Sequence, residues 1–117
     1  VVLMTPAQRE QLNRFLAEKV MGWTEGEYEH DGMYRSASGI ECFVAHWNPL
    51  LLLRDCTLLL DKIEQDKHYW TWKKPEGGGF MFCLWGKTRF AEEWSLDSRT
   101  EALCLAIARA YGWKEEV

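Results

Sequence analysis

Apolar residues recur at Leu12, Phe15, Leu16 and Val20, the spacing of one helix face. The stretch opens with TPAQ: Thr5 suits the N-cap, Pro6 the first helical position, and Gln8 completes a capping box. It closes with Gly22-Trp23. Glycine accepts the left-handed conformation that follows a helix, and the next residue often folds back on the last turn. Lys19 suits the negative end of the helix dipole. Asp31-Gly32, between runs that contain Tyr28 and Tyr34, predicts a hairpin. IECFVAHW alternates as a strand does, with Ile40, Cys42 and Val44 on one side.

Asn48-Pro49 then opens a second helix, LLLLRDCTLLLDKIEQD. Leu52, Leu53, Cys56, Leu59, Leu60 and Ile63 make its broad apolar face. Leu51 and Leu58 point the other way, among Arg54, Asp55, Asp61 and Lys62. HYWTWKK is a strand by its aromatics and threonine, with His68, Trp70 and Trp72 on one face and Tyr69 and Thr71 on the other. KPEGGG is a turn. FMFCLWGK returns as the antiparallel partner, and TRFAEEW extends it. SRTE starts the last helix with Ser98 as cap and Glu101 as its capping-box partner. Leu103, Ala106, Ile107 and Ala110 form the inner face. Gly112-Trp113 repeats the ending of the first helix. The elements run α, β-hairpin, α, β-hairpin, α, an α+β order with an antiparallel sheet.

A chain of 117 residues makes one domain, spanning 1–117. Its net charge of −4 and pI near 5.4 argue against nucleic acid as a partner. Cys42, Cys56, Cys83 and Cys104 form no CxxC pair and lie in apolar segments, where free cysteine is a small buried hydrophobe. With no apolar run long enough to span a membrane and no signal peptide, this reads as a cytoplasmic protein in a reducing compartment. Cys42 and His46 are the nearest potential metal ligands, while His30 and His68 stand far off, so no metal is expected. No GxSxG, HExxH or phosphate loop occurs, and PEGGGF lacks the Lys-Ser/Thr of a phosphate loop. Asp31, Glu92 and Glu93 show no pairing that would make an acid and a base. The chain reads as non-catalytic, with no cofactor, and a small enzyme of unknown reaction stands as the last alternative.

The seven tryptophans change the picture most. Trp23 and Trp113 fit helix-closing contacts. Trp23 also has a sharper reading: if it meets HWNP, then Trp23, His46, Trp47 and Asn48 line a cleft with two π-faces. The N-terminus of the second helix would then hold an anion, although Pro49 has no N–H to offer. Such a cleft suits a nucleotide-like ligand. Trp70, Trp72, Phe80, Phe82 and Trp85 resemble a base-stacking platform, but helices on both faces of the sheet would make them core instead. Leu50, Leu51 and Leu58 form a candidate apolar patch for self-association, a homodimer first, or for docking a host protein.

LAEKVMGW, HWNP opening a helix, two strands and RTEALCLAIARAYG resemble, in that order, the phage ABA sandwich domain family over nearly the whole chain. The family carries a first helix ending in a VMGW-like motif, a Phe/Trp-Ser/Asn-Pro turn and a PLAICLAALKA-like last helix. Two departures stand out. Leu50 to Leu53 replace the family's usual polar caps, and Glu101 stands near the position where the family often has proline. The resemblance implies a sheet layered between helices and a phage or prophage source, with the host cytoplasm as the place of action. A counter-defence role, by sequestering a small host ligand or by inhibiting a host defence complex, is the function expected in that setting. The family supplies no catalytic residues to carry over.

Overall fold

A computed structural model describes residues 4–25, 34–35, 43–44, 47–87, 89–96 and 98–114. Helix α1 spans Pro6–Phe15 and continues as a π-helical turn over Leu16–Val20. Three two-residue strands follow, β1 Thr24–Glu25, β2 Tyr34–Arg35 and β3 Phe43–Val44, antiparallel in the order β1-β2-β3. Helix α2 is Leu53–Gln65. Strands β4 Tyr69–Lys73, β5 Phe80–Trp85 and β6 Phe90–Ser95 form a second antiparallel sheet in chain order, and α3 spans Arg99–Ala110. The predicted hairpin turn at Asp31-Gly32, and Ile40, Cys42 and His46, lie outside the described residues. TRFAEEW does not prolong β5. The Gly86 N–H donates to the Arg89 carbonyl at 2.8 Å, the chain reverses, and the segment becomes a third strand.

The predicted caps form where the side chains can reach. Thr5 and Gln8 exchange both capping-box hydrogen bonds, at 2.8 and 3.2 Å. At α3 the box is half made. Ser98 Oγ accepts from the Glu101 N–H at 3.1 Å, but the Ser98 N–H goes to Ser95 Oγ and Glu101 pairs with Arg9 on α1.

The α+β class stands as expected, with helices packed on antiparallel strands. Helix α3 supplies that packing. Phe82, Leu84 and Ala91 are buried on the sheet face it covers, and Arg109 of α3 pairs with Glu93 of β6. Its other side meets α1, the π turn and α2. Every residue from Ala102 to Ala108 is therefore buried, not one inner face alone, as befits a helix that is apolar all round. The layers run sheet, α3, then α1 and α2. Cys56, Cys83 and Cys104 are buried and free. No helix among the described residues is long and apolar enough to cross a membrane.

Candidate functional site

The residues expected at a site converge where the end of α1 meets the approach to α2. Asn13 is the anchor on α1. Its carbonyl accepts the Trp47 indole N–H at 2.8 Å, and its amide donates to Asn48 Oδ1 at 3.0 Å. In the next turn the ladder widens to π spacing, with the Met21 N–H bonded to the Leu16 carbonyl at 3.0 Å. A side-chain donor seated on the helix ladder is a recognised origin of such distortions.

Trp23 and Trp47 do meet, as the cleft reading requires. They meet edge to face, with ring centroids 4.8 Å apart and planes at 79°. No base can slide between rings so placed. Both indoles are buried, at 9% and 4% exposure, and belong to the core. Their arrangement contributes on the order of 1 kcal/mol beyond the area they bury. The predicted nucleotide cleft of Trp23, Trp47 and Asn48 is thus filled by its own walls, and its fourth member, His46, lies outside the described residues. Asn13 Oδ1 is the buried side-chain polar atom without a hydrogen bond among those described.

The predicted anion position is also taken. Asn48-Pro49 does not begin the helix. Residues 49–51 form a turn, and α2 starts at Leu53. Asn48 N–H donates to Asp55 Oδ2 at 2.8 Å, and the Asn48 carbonyl accepts from the N–H groups of Leu51 and Leu52. Asp55 was expected on the outer face. It is fully buried instead, in the first turn of α2, and its other oxygen accepts from Arg54 Nε at 3.1 Å. A carboxylate there already supplies the negative charge that the helix dipole favours.

Two backbone carbonyls of the turn are tied down. Pro49 accepts from the Cys56 thiol at 2.9 Å, and Leu50 accepts from the Thr100 hydroxyl of α3. Cys56 also touches Cys104 of α3, whose thiol burial pushes well above its ordinary range. This anchoring sorts the leucines. Leu50 is buried at 3%, and Leu58 is half-buried against the core, so the expected patch of Leu50, Leu51 and Leu58 does not exist as a surface. The late helix start turns different leucines outward. Leu51 and Leu53 are each 71% exposed, with Leu52 between them at 38%. Leu52 and Leu53 had been expected inside.

A second polar cluster, with no sequence motif to announce it, closes the far end of α2. Tyr111 donates to Asp66 Oδ2 at 2.6 Å, Arg89 stacks over the Tyr111 ring at 4.2 Å, and the His68 ring lies 5.6 Å from it. Burial, then the Asp66 carboxylate, pushes the Tyr111 phenol well above its ordinary range. A shallow depression of about 370 Å³ beside it is lined by Glu64, Lys67, His68, Tyr69 and Trp70. Its groups are engaged with their own chain: Trp70 Nε1 donates to Glu64 at 3.0 Å, and His68 Nδ1 sits 3.3 Å from the Ile63 carbonyl. Among the described residues no three His, Cys, Asp or Glu side chains group as metal ligands would.

No family model matches the chain, and no curated protein does. Its fold is similar to that of a solved structure, a phage protein from Bacillus cereus ATCC 14579, with a TM-score of 0.63. The two share 9% identity over 94% of this chain and 99% of the other. At that identity the likeness is one of fold.

Proposed function

We propose that this is a non-catalytic phage or prophage accessory protein that acts in the host cytoplasm by docking on a host protein through the leucine turn. A host defence complex is the partner class this reading favours. The carrying observation is that Leu51 and Leu53 stay 71% exposed where the turn enters α2, on a backbone fixed to α2 and α3. A fixed apolar projection loses little conformational freedom when it binds. Burying two leucines would contribute roughly 3–6 kcal/mol before association costs. The fold likeness to a phage protein and the resemblance of LAEKVMGW and HWNP support the setting. The self-filled Trp23–Trp47 junction leaves sequestration of a nucleotide-like ligand without a cavity there.

The test compares the wild-type chain with Leu51→Asp/Leu53→Asp as baits in the same bacterial lysate. A host protein retained by the wild type and lost from the variant supports this reading. Identical retention by both baits contradicts it. Calorimetric titration with linear and cyclic nucleotides is expected to give no binding heat.

A further inference from the structure

We propose that a second copy of this chain packs on the open face of the β4–β6 sheet. Strand alternation and register place three rows on that face: Tyr69, Trp85 and Phe90 in the first, Thr71, Cys83 and Glu92 in the second, and Lys73, Met81 and Trp94 in the third. Helix α3 covers the opposite face. The first row is a strip of rings. Tyr69 and Trp85 are stacked with centroids 6.1 Å apart, and Phe90 pairs with Trp85 across the sheet. Tyr69 is 65% exposed, Phe90 69%, Trp85 41% and Trp94 38%.

Trp94 is held in place. Its indole N–H donates to the Gly78 carbonyl at 3.2 Å, and it lies so close to Gly79 that a Cβ there would sit 2.7 Å from Nε1. The glycine turn, with φ near +90° at Gly77, Gly78 and Gly79, thus seats a large ring at the margin of the face.

Charge and area select the occupant. The two charged side chains of the face, Lys73 and Glu92, pair with each other at 3.7 Å. The face is neutral in a chain of net charge −4. A nucleic acid would need cations that this surface does not present. A second copy meets no opposing like charge, and a two-fold axis would lay each aromatic strip on its counterpart. At about 200 Å² per aromatic side chain, the four rings leave roughly 400 Å² of exposed apolar surface. Two such faces with their margins come to on the order of 1,000 Å², where specific interfaces begin. Tyr and Trp are also the residues that most often dominate binding energy. This surface lies across the sheet and α3 from the leucine turn, so it leaves the proposed host-protein contact free.

Sedimentation velocity on the full chain across the micromolar range tests the proposal. The wild type is expected to show a concentration-dependent dimer. Tyr69→Asp/Phe90→Asp should raise the dimer dissociation constant at least about tenfold, with an unchanged far-ultraviolet dichroism spectrum. Leu51→Asp/Leu53→Asp should remain dimeric. If the first double variant does not fold, Phe90→Ser is read in its place. A wild type that stays monomeric overturns the proposal, as does a dimer indifferent to Tyr69 and Phe90. A dimer lost only with Leu51 and Leu53 moves the interface to the leucine turn and equally overturns it. A monomer whose intrinsic fluorescence is quenched by oligothymidylate gives the face to single-stranded nucleic acid instead.

Discussion

Asp55 shows how much one side chain can depend on a turn that precedes it. Helical periodicity puts it among Arg54, Asp61 and Lys62 on the outside. In the structure it is fully buried because Asn48, seven residues earlier, presents an N–H that needs an acceptor. No periodicity encodes that partnership. Asp55→Ala would strand the Asn48 N–H and is expected to cost about 2–3 kcal/mol in chemical denaturation, with Asp55→Asn recovering part of it. Tyr111 offers a pH test. Its pKa is raised in the folded state, so the stability it contributes is intact below the ordinary tyrosine value near 10 and falls as pH rises through that range. Thermal unfolding measured between neutral and alkaline pH should decline with this slope in the wild type. Tyr111→Phe should decline less. An equal decline in both would contradict the assignment.

The helix ends are the most legible elements. Gly22 and Gly112 take left-handed φ of 74° and 99°, as a closing glycine should. At α3 the closure is a Schellman motif, with Gly112 N–H on Arg109 and Trp113 N–H on Ala108 at 2.9 Å. At α1 the π turn widens it by one residue, so Trp23 N–H reaches Ala17 at 2.9 Å. Helix α2 ends alike without a glycine. Lys67 has φ 62°, and the N–H groups of Lys67 and His68 bond to Glu64 and Ile63. An aromatic ring follows the left-handed residue each time: Trp23, His68 and Trp113. The repeated Gly-Trp pair is therefore a way of ending a helix, and the third instance escaped the sequence because lysine hides the conformation. Lys67→Gly should raise stability by about 0.5–1 kcal/mol. Gly112→Ala should lower it by about 1 kcal/mol through φ alone, since nothing lies within 4 Å of a Cβ there. Urea midpoints check both signs. The start of α2 was less legible, because Leu50 to Leu53 carry no polar cap to mark where the turn stops and the helix begins.

At the scale of the molecule, the α+β order was readable from the periodicities, and the arrangement of layers was not. ALCLAIA in α3 is apolar on all sides, the mark of a helix enclosed by other elements, yet the spacing of Leu103, Ala106, Ile107 and Ala110 suggests a single inner face. Among the described residues no helix covers the far face of the sheet, where Tyr69, Trp85, Phe90 and Trp94 are surface, while Phe82 under α3 is core. The same layering makes Trp23 and Trp47 part of the scaffold and leaves Leu51 and Leu53 standing on it. That division, Trp23 and Trp47 inside the scaffold and Leu51 and Leu53 outside it, is most directly tested by urea denaturation of two variants against the wild type. Leu51→Asp/Leu53→Asp should stay within about 0.5 kcal/mol of the wild type, as surface positions do. Trp47→Phe, which removes the donor to the Asn13 carbonyl, should lose about 1–3 kcal/mol. A leucine variant that unfolds, beside a Trp47→Phe chain as stable as the wild type, would contradict the account.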